Sequence, residues 1–240
     1  MKIIVTKDYD KMSEKAFEIM SGVVKSTPRA VLGLATGTTP LGLYKLMTAD
    51  CKDNGTSYKK IRTVNLDEYA GLDITSPQSY VYFMRENLFK GLDIPLENTN
   101  IENGKAADAE AECARYNALL SELPRDIQLL GLGSNGHIAF NEPGTPFGTQ
   151  THVVKLAEST VKDNSRLFEK IGDVPTSAFT MGPKNIMQSK KVLILAYGEN
   201  KARAVYEMVN GEVTESCPAS ILQLHPDCTL IVDEKAASLL

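Results

Sequence analysis

The sequence predicts an α/β fold: a doubly wound, mostly parallel, Rossmann-like sheet with helices on both faces. Short β-branched or leucine-rich runs alternate with helical patterns along the whole chain, which is the rhythm of a parallel sheet. Several of those runs are apolar almost throughout instead of alternating, as in AVLGLA and KVLILAY, and that suits strands covered on both faces. The chain has 240 residues, 42% hydrophobic and 23% charged, enough for a substantial core and too apolar for disorder. It contains no repeat, low-complexity tract or long linker, so a single domain over 1–240 is expected.

The elements follow in order. KIIVT gives a strand at 2–6, cut off by Lys7 and Asp8, and too short for a signal peptide. A helical pattern runs over 8–25, AVLGLA marks a strand at 30–35, and Pro40 opens a helix over 40–50. RTVNL at 62–66 is the next strand, followed by helices at 79–89 and 108–121. Strands are expected at 127–132, 152–156, 178–181, 191–197 and 229–232, with helices at 160–167, 200–209, 218–223 and 234–239. No stretch approaches a membrane span. Cys51, Cys113, Cys217 and Cys228 are scattered without a CxxC pair, so reduced thiols in the cytoplasm are expected. A net charge of −4 argues against nucleic acid as a partner, yet leaves room for a small phosphorylated ligand.

In open α/β sheets, ligands bind beyond the carboxyl ends of the strands. The loops after 35, 66, 132 and 197 are therefore the ones to read. After 35 the chain reads TGTTP: Gly37 permits positive φ, Thr39 is placed to cap a helix, and Pro40 fits its first position. Helix N–H groups and the hydroxyls of Thr36, Thr38 and Thr39 would make an anion site, although a well-capped turn without ligand accounts for the same residues. Neither GxxxxGK[ST] nor GxGxxG is present.

After 66, Asp67 and Glu68 close a strand, and adjacent strand residues point to opposite sides. Asp67 is the better candidate to face the crevice as a general base, with a turn cap as the alternative. After 132, Gly131, Gly133 and Gly136 allow close backbone approach, and His137 stands between Asn135 and Glu142. An imidazole with a carboxylate nearby favours proton transfer near neutral pH, with a buried histidine satisfied by backbone as the alternative. Ser134 lacks a nucleophile elbow, and one histidine with one glutamate is too few for a metal site.

The combination LATGTTP, VNLDEY, GLGSNGHIAFNEPGTPF, NSRLF and LQLHP resembles the glucosamine-6-phosphate deaminase family over nearly the whole chain and in its order. Related 6-phosphogluconolactonases share the sheet but carry another continuation in place of FNEP. The resemblance implies a cofactor-free and metal-free enzyme that converts glucosamine 6-phosphate and water to fructose 6-phosphate and ammonia. It implies His137 as the acid–base group of ring opening, supported by Glu142 and Asn135, and Asp67 as the base that moves the C2 proton to C1. It also implies a phosphate site of Gly37, Thr38, Thr39, Arg166 and Lys201. His152 and His225 are expected to be structural. Long members of the family have aspartate where Asn135 stands. They also carry a C-terminal extension and are hexamers activated by N-acetylglucosamine 6-phosphate, so a monomer without that regulation is expected here. Residues 143–151, rich in Gly, Pro and Thr, are a candidate lid. The competing readings are a deaminase for the galactosamine epimer, a sugar-phosphate lactonase, and a non-catalytic sugar-phosphate sensor.

Overall fold

The computed structural model describes residues 1–156 and 175–240. Through the first part of the chain run β1 (Lys2–Thr6), α1 (Tyr9–Ser26), β2 (Val31–Leu34), α2 (Leu41–Asn54), β3 (Arg62–Asn65), β4 (Asp67–Tyr69), α3 (Tyr80–Asn87), β5 (Thr99–Asn100) and α4 (Ala109–Glu122). Then come β6 (Ile127–Gly131), β7 (His152–Lys155), β8 (Ser177–Thr180), α5 (Pro183–Met187), β9 (Val192–Ala196), α6 (Ala202–Asn210) and β10 (Cys228–Asp233).

Seven strands lie side by side in the order β1, β10, β9, β6, β2, β3, β5, every pair parallel. β2 and β9 are buried at every position, which is why their sequences show no alternation. The flanking helices begin where the sequence offers side-chain caps: Asp8 accepts the Lys11 N–H at 2.9 Å, Ser79 that of Tyr82 at 3.1 Å, and Asp108 that of Ala111 at 3.0 Å. From β2 the chain moves outward to β3 and β5, then returns to β6 on the other side of β2. The boundary between β2 and β6 is thus the switch point, where a crevice opens at the strand ends.

The structure departs from the expected elements in several places. The runs at 152–156 and 178–181 are strands, but they leave the parallel sheet: β7, β8 and β4 form a separate antiparallel sheet in the order β4, β8, β7. That sheet has its own small core of Tyr69, Phe140, Leu156 and Ala178. The helix at 40–50 starts at Leu41 with Pro40 as its cap, and Thr39 makes no capping bond; the Tyr9 hydroxyl takes the Gly42 N–H instead. The run at 218–223 is a 3₁₀ helix, Pro218–Leu224, in which the Ser220 hydroxyl is tied to the Thr214 carbonyl and N–H. The segment 234–239 is a set of turns: the Asp233 carboxylate takes the N–H groups of Ala236 and Gly198, in place of a regular helical ladder. The helix expected at 160–167 lies outside the described residues.

Candidate active site

A cleft opens at the switch point. It is lined by Ala35, Thr36, Gly37 and Thr39 after β2, by Leu66 and Asp67 after β3, and by Gly131, Leu132, Gly133 and His137 after β6. Tyr80, Ala139, Phe140 and Lys201 complete its wall. The four strand ends singled out in the sequence therefore meet in one place.

The loop after β2 is braced from outside the cleft. Gly37 has φ +87°, so only glycine turns the chain here without strain. The Tyr44 hydroxyl donates to Ala35 O at 2.5 Å and accepts the Ala35 N–H at 3.2 Å. Tyr9 donates to Thr38 O at 3.1 Å and accepts the Gly42 N–H at 2.8 Å, while the Thr38 hydroxyl meets the Tyr197 hydroxyl at 3.3 Å. Thr38 is exposed and does not line the cleft. The first N–H groups of α2 are also engaged, Leu41 with Thr38 O at 3.4 Å and Gly42 with Tyr9. An anion here would meet the loop 36–39 and Lys201, not free amides at Leu41 or Gly42. Lys201 makes no ion pair with a described residue, and burial pulls its ammonium below the usual lysine range. Arg166 lies outside the described residues.

Asp67 opens β4 just where β3 ends, 6% exposed and facing the cleft. No described N–H group or cation reaches its carboxylate. Burial, and secondarily the charge of Glu68, push its carboxyl up to about 8. Its pairing partner in β8 is Thr180, whose hydroxyl accepts the Phe140 N–H at 3.1 Å. The next residue, Met181, donates its N–H to Leu66 O at 2.6 Å and accepts from the Asn141 side-chain amide at 2.9 Å. The end of β8 therefore splints the Asp67 strand to the loop that carries His137.

That loop folds tightly on itself. The Gly133 N–H donates to His137 O at 2.9 Å, and a Cβ on Gly133 would lie 2.5 Å from the imidazole ring, so the ring packs on bare backbone. Ala139 sits at φ +52°, a conformation that costs a non-glycine residue about 1–2 kcal/mol and clusters at working sites. His137 Nδ1 and Glu142 Oε1 are 3.4 Å apart, both side chains partly exposed. The partner imidazole holds the Glu142 carboxyl below its usual range, against the effect of burial. Asn135 does not touch the ring, contrary to the expectation that it orients it. Its amide donates to Glu142 Oε2 at 2.6 Å, and its oxygen accepts the His137 backbone N–H at 3.2 Å. It thus aims the carboxylate and closes the turn.

The other histidines are placed structurally. His225 is buried, with Nε2 against Ser189 O at 2.9 Å and Nδ1 accepting the Asp227 N–H at 3.2 Å. His152 has Nδ1 against Gln150 O at 2.9 Å. The candidate lid is tied down: Glu215 O accepts the Gly144 N–H at 2.8 Å, its carboxylate accepts that of Phe147 at 2.9 Å, and Thr149 O accepts that of Lys184 at 3.0 Å. Sequence reading missed Tyr80 and Phe140 in the wall, whose rings lie 6.2 Å apart and 8° from parallel. No motif marks Tyr80, because the first turn of α3 reaches the cleft only through tertiary packing, whereas Phe140 stands inside the GHIAFNEP run.

A buried aspartate and a histidine–glutamate pair on separate strand ends, with a glycine–threonine loop and a lysine that makes no ion pair among the described residues, give the cleft the makings of an enzyme site for a small anionic substrate. The sequence model of the family described as glucosamine-6-phosphate isomerases/6-phosphogluconolactonase matches residues 7–231, and the chain belongs to that family. It is 51% identical over 240 residues to a glucosamine-6-phosphate deaminase of Geobacillus sp. (strain WCH70), covering 100% of this chain and 96% of that protein. It is 50% identical over 241 residues to one of Clostridium acetobutylicum, covering 100% of both. A solved structure of a monomeric glucosamine-6-phosphate deaminase superposes with TM-score 0.97 at 46% identity, covering 100% of both chains. The 6-phosphogluconolactonase of Trypanosoma brucei superposes with TM-score 0.81 at 20% identity over 100% of this chain and 98% of that one, a likeness of fold alone. Among the described residues, no helix is long and apolar enough to cross a membrane.

Proposed function

We propose that this chain deaminates glucosamine 6-phosphate to fructose 6-phosphate and ammonia, acting as a cytoplasmic monomer. The observation that carries the reading is the meeting of Asp67 and the His137–Glu142 pair in one cleft with Lys201. Relatives about half identical over the full chain bear the same activity in their names. The reaction needs two proton movements at different ends of a sugar. His137, with Glu142 behind it, moves the proton between O1 and O5 and opens the pyranose ring. Asp67 takes the C2 proton, giving an enolamine as O1 is protonated, and returns a proton to C1. The resulting C2 iminium adds water, and the carbinolamine releases ammonia and leaves the ketone. The phosphate rests against Gly37, Thr39 and Lys201, with Thr38 backing the loop and Arg166 assigned by resemblance to the family.

Purified protein given glucosamine 6-phosphate should release ammonia and fructose 6-phosphate in equal amounts. N-acetylglucosamine 6-phosphate should leave the rate unchanged. Lactone hydrolysis without ammonia would refute the reading.

A further inference from the structure

Glu68 takes no part in the chemistry assigned above, yet it is only 1% exposed. It follows Asp67 on β4, so the two side chains leave the strand on opposite sides. Asp67 faces the cleft, and Glu68 reaches the start of α3. There Oε1 accepts the N–H of Tyr69 at 2.8 Å and of Tyr80 at 2.9 Å, and Oε2 accepts that of Val81 at 2.9 Å. Tyr80 and Val81 are the first residues of the helix, whose N–H groups find no partner inside it. Burial pushes the Glu68 carboxyl above its ordinary range, and the three peptide donors with the positive end of the helix pull the other way, towards the ionised form.

A second buried carboxyl gives the contrast. After β5 the chain packs back on β4: Gly71 donates its N–H to Gly104 O at 2.7 Å, and a Cβ at Gly104 would lie 3.2 Å from Glu68 Cγ. The same stretch carries Glu102, also 1% exposed, with neither carboxyl oxygen hydrogen-bonded among the described residues. Burial pushes its carboxyl well above the ordinary range, so it is held neutral.

We propose that Glu68 is a positioning residue for the base: anchored by the start of α3, it fixes Tyr80 over the cleft and stands as a fixed negative charge behind Asp67. This rests on the reading of Asp67 as the C2 base. The other described groups facing Asp67 are Tyr44 from α2, Tyr80 from α3, Glu102 after β5, and His137 and Lys201 across the cleft. Burial keeps both tyrosines and Glu102 neutral, which leaves Glu68 as the one carboxyl among them whose charge is held by peptide N–H donors. Around Glu68 itself stand Asp67, Tyr69, Tyr80 and Glu102.

The test is the pH profile of kcat/KM in the parent, Glu68→Gln and Glu68→Asp proteins. Without the charge, Asp67 becomes a weaker base, so the acidic limb of Glu68→Gln should move down by about half a pH unit or more. KM should rise several-fold as Tyr80 loosens, and Glu68→Asp should restore the parent's limb. An unmoved limb in folded Glu68→Gln would reduce Glu68 to a helix anchor and overturn the proposal. Should that variant fail to fold, carboxyl-carbon NMR titration of the parent decides instead. Glu68 should stay ionised while Asp67 titrates, and a Glu68 that takes up its proton first overturns the proposal. Absence of ammonia release by the parent would strike the deaminase reading, whereas the carboxyl titration is independent of it.

Discussion

Asp67 lines the cleft and Glu142 pairs with the cleft histidine His137, and their surroundings push the two carboxyls in opposite directions. Asp67 sits on a short strand, buried, with no described donor, and its carboxyl is pushed up to about 8. Glu142 sits on a partly exposed loop beside His137 and the Asn135 amide, and is held below its ordinary range. Burial without a partner makes a base that holds its proton once it has taken it. Pairing makes a permanent anion that supports a neighbouring proton carrier. In the proposed reaction, the first suits a carbon base and the second a ring-opening pair.

The sharpest way to break the contrast is to remove the base. Asp67→Asn should lower kcat by about a thousandfold or more while substrate affinity changes little, measured by steady-state rates and calorimetry. Next comes His137→Gln, expected to lose about a hundredfold on the cyclic sugar and much less on an open-chain analogue. Equal losses on both substrates would remove the division of labour.

The pH dependence follows from the sign of each shift. Asp67 must be ionised to act, so kcat/KM of the free enzyme should fall about tenfold per unit as pH drops below about 8. The same raised carboxyl has a thermodynamic face. Between about 4 and about 8 the folded state holds a proton on Asp67 that the unfolded state has released, so stability declines as pH rises through that window. Asp67→Asn should therefore melt higher than the parent above pH 8, by an amount that shrinks by about 1.4 kcal/mol per unit on acidification and vanishes below about pH 4. The smallest effect is expected at Asn135→Asp. A carboxylate 2.6 Å from Glu142 would have to share a proton with it, adding an ionisation to the pH profile and changing the rate only a few-fold.

Much of this was legible in the sequence because each cue was local. The apolar runs marked β2, β6 and β9, and the helical patterns over 8–25, 79–89 and 108–121 marked α1, α3 and α4. The strand-end rule then points to the loops that form the cleft. What stayed hidden was set by long-range contacts. β4 is three residues long and exists only through β8, more than a hundred positions away, so nothing in DEY announces an antiparallel sheet. The roles of Tyr80 in the wall and of Glu68 beneath it likewise depend on where α3 docks. The family resemblance made Asn135 a support of the imidazole. The turn instead directs its amide to Glu142. The expected helix at 234–239 failed for a similar reason, since Asp233 spends its carboxylate on Gly198, 35 positions away.

The central claim is that the buried carboxylate of Asp67 moves the C2 proton. Its most direct test is solvent-deuterium exchange at C2 of glucosamine 6-phosphate, followed by NMR, in parent and Asp67→Asn proteins. The account predicts rapid exchange in the parent and none in a variant that still binds the sugar. Exchange that persists in Asp67→Asn would place the base elsewhere in the cleft and contradict the account.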